Sequence, residues 1–287
     1  MSMCDNGYVR YILAISGGVD SVVLFDLMLR TSKDVVVAHF DHGIRGDSEA
    51  DARFVAGLAK KHSVQCIMRR EELGLDASEE LARNRRYHFL QEVADDFGGV
   101  VVTAHHRDDI IETIALNIHR GTRWRGLAGM SNQRILRPLG GWTKQQIYDY
   151  ALKHSLEWVE DETNRSQRYK RNVMRRRINQ KIDIEKQVKL YDLWRDQQRL
   201  RREIEQALLE LEPMTNSRYF LSMIPDNLAQ EIIYGYVLRH ENVSLLRGQL
   251  ERVVIAIKTA KPGTTWQIGG NLVMKMTMKN VTIERVD

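Results

Sequence analysis

Between Tyr8 and Arg120 short apolar runs alternate with longer segments in which apolar residues recur every three or four positions. The runs from Tyr8 to Ile15, Val35 to Phe40, Val64 to Arg69 and Val100 to Ala104 read as strands. The intervening segments, near Ser21–Arg30, Glu49–His62, Ala77–Phe97 and Asp108–Arg120, read as helices. Strands without polar alternation are buried on both faces, and a helix between each pair lets successive strands run parallel. The expected fold class is α/β, a doubly wound parallel sheet, followed by a smaller helical and β region toward the C-terminus. In such sheets ligands lie beyond the carboxyl ends of the strands. The residues to inspect are therefore Ser16–Ser21, His39–Arg45, Arg69–Arg70 and His105–Asp109.

The first of these loops is Ser16-Gly17-Gly18-Val19-Asp20-Ser21, set between an apolar strand and the helix beginning near Val22. A glycine-rich strand-to-helix turn aims backbone N–H groups and the positive end of a helix dipole at one point, which suits a phosphate. The glycines permit positive φ and close backbone approach. Ser16 and Ser21 offer hydroxyls, and Asp20 can orient the turn or hold a hydrated magnesium ion. No GxxxxGK[ST] occurs in the chain, so this is not a Walker A loop.

Three further clusters carry chemistry. In Thr103-Ala104-His105-His106-Arg107-Asp108-Asp109-Ile110-Ile111-Glu112, a helix starting at His105 puts Asp109 at i+4 and Glu112 at i+7 on one face. That set can bind magnesium, hold a substrate or accept a proton from an attacking amine. Asp108 balances the helix dipole. In Leu81-Ala82-Arg83-Asn84-Arg85-Arg86-Tyr87, one helix face aims Arg83 and Arg86 (or Tyr87) at the same cleft, where arginine neutralises phosphate charge. The acids Glu160, Asp161 and Glu162, with Asn164, either pair with neighbouring cations or receive a cationic amine.

The overall charge is only +5, but it is unevenly distributed: Arg165 to Lys181 holds eight Lys or Arg residues and no acid. Such a block, which includes Arg171, Asn172 and Arg175, attracts nucleic-acid phosphates. Only Cys4 and Cys66 occur, with no CxxC, which excludes a disulfide scaffold and a cysteine-bound zinc or iron–sulfur site and fits a reducing cytoplasm. No long apolar run suggests a membrane span, and MSMCDNG does not resemble a signal peptide. Thr143 is placed to cap a helix running to about His154. The stretch from Lys181 to Glu212 reads as a long charged helix ended by Pro213, residues 222–260 as a small helical bundle, and the tail as strands about a Lys279-Asn280 turn.

SGGVDS resembles the phosphate-binding loop of the PP-loop ATP pyrophosphatases. With HFDHGIRGDSEADARFV (39–55), ARNRRYHFL (82–90), TAHHRDDIIET (103–113), RGTRWRGLAGM (120–130), RPL (137–139) and EDETNRSQRYKRN (160–172), the chain resembles one subfamily, the tRNA(Ile)-lysidine synthases. The resemblance implies a PP-loop, adenine nucleotide α-hydrolase-like fold and cleavage of ATP between its α and β phosphates. It implies an adenylated wobble cytidine in the CAU anticodon of tRNA(Ile), from which free L-lysine displaces AMP. Carried onto this sequence, Ser16, Gly17, Gly18, Val19, Asp20 and Ser21 hold the phosphates and His39 lies beside the nucleoside. Asp20, His105 and Asp109 are catalytic with Arg83 or Arg86 assisting, and Asp20 and Asp109 are the magnesium ligands. Glu112, Asp161, Asn164, Arg171, Asn172 and Arg175 meet lysine, tRNA or the target base. The implied organisation is a catalytic ATP-binding domain over 1–182, a connecting helix over 183–212, and a tRNA-contacting region over 213–287 made of helices then a β-hairpin. The protein is expected in the cytoplasm, off the membrane, with a homodimer as one possible assembly.

Overall fold

The structure, a computed structural model, describes residues 9–32, 34–43, 48–74, 77–122, 124–130, 134–160 and 183–286. It divides into two compact units, Met1–Gln197 and Gln198–Asp287.

The first unit is built on strands β1 (Arg10–Ala14), β2 (Val35–Asp41), β3 (Gln65–Arg70), β4 (Gly99–Val102) and β5 (Ile135–Leu136). Helices α1 (Val19–Thr31), α2 (Ser48–Lys61), α3 (Glu79–Phe97), α4 (Arg107–His119), α5 (Trp124–Leu127) and α6 (Lys144–Lys153) join or follow them. All five strands are parallel, in the order β3-β2-β1-β4-β5. The chain winds outward from β1 through β2 to β3, then returns along α3 to β4 on the other side of β1. The strand order thus reverses between β1 and β4, and their connections diverge at the carboxyl ends to leave a crevice.

The strand residues split by parity, as strand geometry requires. Leu13, Val35, Val37 and Val102 pack with Val23, Leu24, Phe25 and Met28 of α1, Val55 and Ala59 of α2, and Ile147 and Ala151 of α6. Ile12, Val36, Ala38 and Val101 face the opposite side, under Phe89, Leu90, Val93 and Ala94 of α3. Both faces are therefore covered, as the uninterrupted apolar runs require. Burying each of the Val, Leu, Ile, Phe and Met side chains among these contributes about 1.5–3 kcal/mol. At α6 the expected Thr143 cap is present: Thr143 Oγ1 accepts the Gln146 amide at 3.1 Å and Gln146 Oε1 accepts the Thr143 amide at 2.8 Å.

Helix α7 (Ile184–Glu210) contains the division between the units, and Pro213 sits in the 3-10 turn Glu212–Met214 that follows it. The second unit holds α8 (Arg218–Met223), α9 (Asp226–Glu241), α10 (Arg247–Thr259) and strands β6 (Thr265–Gly269), β7 (Leu272–Met276) and β8 (Val281–Arg285). The expected hairpin is part of a three-stranded antiparallel meander, because Trp266-Gln267-Ile268 pairs with β7 as a third strand. Leu272, Met274 and Met276 of β7 alternate into a core with Ile232, Ile233 and Val237 of α9 and Val253, Val254 and Ile257 of α10.

Candidate active site

The loop after β1 is shaped by two local features. Gly17 has φ +93°, a region that L side chains rarely adopt, and its carbonyl accepts the Val159 amide at 3.0 Å. A Cβ there would meet Phe54 and Val55 only at ordinary contact distance, 3.4 and 3.6 Å, so the backbone conformation rather than space calls for glycine. Ser21 is buried, and its hydroxyl oxygen accepts the amides of Ser16 and Gly17 at 3.2 and 3.1 Å while donating to the Gly18 carbonyl at 2.8 Å. Ser21 thus braces the loop from within, and the hydroxyl of Ser16, an exposed residue, lies 3.3 Å from it. Gly18 is the N-cap of α1 and supplies no side chain, so the first-turn amides of α1 have neither a capping group nor a carbonyl one turn earlier. They form the anion-receptive end of the loop.

The loop after β4 meets this one across the crevice. Helix α4 begins two residues later than a start at His105 requires: His106 is the N-cap, extended at φ −117°, and the helix runs from Arg107. The reason lies in the side chain of His106. Its Nδ1 accepts the Asp108 amide at 3.3 Å, and Asp109 Oδ2 returns the bond by accepting the His106 amide at 3.1 Å. With Nδ1 an acceptor, the ring proton is assigned to Nε2. That nitrogen lies 3.5 Å from Asp109 Oδ2 and 3.9 Å from Asp20 Oδ2, in a residue only 3% exposed. His106, not His105, is therefore the histidine between the two carboxylates. His105 is turned back into its own loop, with Nδ1 2.7 Å from Thr103 Oγ1. Glu112 lies one turn beyond Asp109 and is buried.

Two other neighbours come from distant sequence. Lys144, the first residue of α6, places Nζ 2.6 Å from Asp20 Oδ1. Its amide donates to Asp108 Oδ2 at 2.9 Å, so Asp108 caps α6 rather than facing the crevice. His39 is buried, and its Nδ1 donates to the Ile15 carbonyl at 2.8 Å, which ties the end of β2 to the strand that enters the loop.

The arginines of α3 separate by role. The Arg83 and Arg86 guanidiniums lie 5.0 and 5.6 Å from the Tyr87 ring centre, whereas exposed Arg85 turns to Glu71 at 3.9 Å. Arg137, just past β5, shares this neighbourhood. Burial, with the Arg83 charge beside it, pulls its pKa down, and hydrogen bonding to Tyr87 opposes the shift. It donates to the Ile135 carbonyl at 3.0 Å. A guanidinium keeps its proton under such pressure, so this is a patch of positive charge near the carboxyl edge of the sheet.

His106, Lys144 and Arg137 are additions to the residues singled out from sequence. The His-His doublet and the RPL string held a signal for two of them; Lys144 had none. Asp161, Asn164, Arg171, Asn172 and Arg175, with the rest of the basic block, lie outside the described residues. Among the described residues no group of three His, Cys, Asp or Glu side chains is arranged to hold a metal by itself. The donor chemistry still suits magnesium on a nucleotide, which takes one or two carboxylates and completes its shell from phosphates and water. Asp20 and Asp109 both turn an oxygen to within 4 Å of one nitrogen. No described helix is long and apolar enough to cross a membrane.

Comparison with known proteins agrees with this fold. Residues 3–182 match the PP-loop domain family. Among curated proteins, a tRNA(Ile)-lysidine synthase from Exiguobacterium sibiricum is 40% identical over 175 residues, covering 58% of this chain and 42% of that protein. One from Thermosipho africanus is 36% identical over 182 residues, covering 59% and 43%. This chain thus spans about two fifths of the length of the curated relatives it matches. Among solved structures, a U34-tRNA thiolase from Methanococcus maripaludis superposes with a TM-score of 0.56 at 14% identity, covering 67% of this chain and 72% of the other, a likeness of fold.

Proposed function

This chain belongs to the PP-loop domain family, and from that membership we propose that it is a cytoplasmic ligase joining free lysine to the wobble cytidine of a CAU anticodon in tRNA(Ile). The observation that carries this reading is the convergence of Asp20 and Asp109 on His106 at the crevice between β1 and β4, beside a loop built for phosphate. The 34–40% identical relatives that share this half of the chain support the choice of substrate.

The chemistry follows from the groups present. The cytosine O2 attacks the α-phosphorus of ATP, the bond to the β-phosphate breaks, and pyrophosphate leaves. The lysine ε-amine then attacks C2, and O2 departs with AMP. The amides of the first turn of α1 receive phosphate oxygens, with Ser21 and Gly17 holding the loop in shape. Arg83, Arg86 and Arg137 supply positive charge for the departing pyrophosphate. Magnesium held by Asp20 and Asp109 would neutralise phosphate charge further. Buried Glu112 offers negative charge to the cationic lysine, whose amine must lose a proton to attack. The basic block from Arg165 to Lys181 receives tRNA phosphates, and the target base leaves its stack to reach the crevice.

The test is direct. Incubated with ATP, labelled lysine and a CAU-anticodon transcript, the protein should release AMP and pyrophosphate and fix label in RNA in equal amounts. Release of ADP and phosphate, or AMP without lysine incorporation, would overturn the proposal. Asp20→Ala and Asp109→Ala should abolish incorporation while leaving tRNA binding nearly intact.

A further inference from the structure

We propose that Lys144 is a partner-switching cation: it holds the Asp20 carboxylate in the nucleotide-free protein and passes to the triphosphate when a divalent cation takes Asp20. The proposal rests on the reading that ATP occupies the crevice, and adds a residue and an exchange to it.

The geometry separates a fixed end from a movable one. The Lys144 backbone is pinned to the first turn of α4 by its amide bond to Asp108 Oδ2 at 2.9 Å, beside the Arg107 amide donating to the Trp142 carbonyl at 2.9 Å. The side chain then reaches 124 residues back in sequence to Asp20. Its ammonium meets Asp20 Oδ1 at 2.6 Å and lies 5.0 Å from the Tyr148 ring centre. Both side chains remain about one-third exposed, at 34% and 31%, so the pair is open to solvent rather than sealed in the core.

Charge balance gives the contact its purpose. Asp20 stands in the first turn of α1, at the space that a triphosphate must enter, and a carboxylate there without a cation would repel it. An ammonium on Asp20 cancels that charge. A divalent cation arriving with the nucleotide competes for the same carboxylate oxygens. Once displaced, the ammonium stays tethered at the mouth of the loop, where phosphate oxygens supply a new partner. A lysine suits such an exchange: its compact charge sits on a flexible stem with three rotatable donors, whereas arginine favours one planar geometry.

The test compares full-length Lys144→Met and Lys144→Arg with wild type, measuring Mn2+ affinity of the nucleotide-free protein by electron paramagnetic resonance and ATP affinity in the presence of Mg2+ by calorimetry. In Lys144→Met, Mn2+ should bind about tenfold more tightly, because Asp20 has lost its competitor, and ATP roughly ten- to hundredfold more weakly. Lys144→Arg keeps the charge but not the compact, rotatable head, so it should recover only part of the ATP affinity. Thermal melting shows that each variant is folded. Any result in which the two affinities of Lys144→Met fail to move in opposite directions overturns the proposal; a joint fall marks Lys144 as a strut alone. A wild type that binds no ATP overturns both this inference and the nucleotide assignment. A wild type that binds ATP but transfers no lysine overturns only the ligase reading, and the Mn2+ and ATP comparison still decides the role of Lys144.

Discussion

One carboxylate oxygen, Oδ2 of Asp109, accepts the backbone amide of His106 at 3.1 Å and lies 3.5 Å from the ring Nε2 of the same residue. His106 therefore does two jobs. Its backbone and Nδ1 start α4, and its Nε2 faces Asp20 and Asp109. The two are separable by substitution. His106→Asn keeps an acceptor at the cap and loses the group facing the carboxylates, whereas His106→Ala loses both. We expect His106→Ala to lose about 1–2 kcal/mol of stability and His106→Asn much less. Both should lose at least a hundredfold in AMP formation. Melting curves and pyrophosphate release check this; a His106→Asn variant with full activity would reduce His106 to a helix cap.

Ser21 offers a second separation. Its hydroxyl takes the amides of Ser16 and Gly17, so Ser21→Ala leaves two loop donors without their acceptor. A cost of about 1–3 kcal/mol follows for the buried Gly17 amide left unpaired, whereas the amide of exposed Ser16 can turn to water. The loss should appear chiefly as weaker ATP binding, since the loop must be re-formed around the phosphates. Gly17→Ala, with φ +93° at that position, should act in the same direction through backbone strain of roughly 1–2 kcal/mol. Unchanged ATP affinity in both variants would move the phosphate site away from this loop.

How much of this was legible beforehand depends on the range of each interaction. Ser16 to Ser21 could be read because strand, turn and helix follow one another, and Gly17 supplies the positive φ locally. The sheet could be read because both faces of β1 and β2 are apolar. The helix start at His106 could not, since two adjacent histidines offer the same side chain and only the bond to the Asp108 amide selects the second. Lys144 was invisible for a different reason. Its contact with Asp20 exists only because the sheet order brings α6 beside α1, and no local pattern encodes that. In the second unit, Trp266 to Ile268 showed strand alternation, but its pairing with β7 required the fold.

Acid stability should report on a contact between α1 and α6. Asp26 accepts hydrogen bonds from Arg30 Nε at 2.8 Å and the Tyr150 hydroxyl at 2.7 Å. Burial works to raise its pKa, but these bonds, with the charges of Arg30 and His154, outweigh burial and hold it below the ordinary 3.8. A carboxylate with a depressed native pKa contributes stability above its unfolded value and loses it as pH falls through the native one. The urea midpoint of wild type should therefore drop between about pH 5 and pH 3 more steeply than that of Asp26→Asn. Tyr150→Phe removes one of the bonds and brings the native pKa of Asp26 closer to its unfolded value, so its acid loss should be smaller and end at higher pH, with about 1 kcal/mol lost at neutrality. Parallel pH profiles for wild type and Asp26→Asn would show that this contact carries no linkage.

The second unit has its own single-residue anchor. Arg218 donates from Nε to the Ile257 carbonyl at 2.9 Å, from Nη1 to the Thr277 carbonyl at 3.1 Å, and from Nη2 to the Ala260 carbonyl. Ile257 lies in the last turn of α10 and Ala260 is its C-cap, where carbonyls lack helical partners and the dipole favours a cation. One guanidinium thus closes the end of α10 and ties it to the chain just past β7. Lysine has the charge but not the fork, so Arg218→Lys can satisfy only part of this set. We expect Arg218→Met to cost about 2–4 kcal/mol and Arg218→Lys roughly half as much. The loss should appear as earlier proteolysis and hydrogen exchange within residues 218–286. Because the Asp20, His106 and Asp109 cluster is assembled wholly within the first unit, ATP affinity should stay at the wild-type value, and a parallel fall in ATP affinity would count against assigning the nucleotide site to that unit alone.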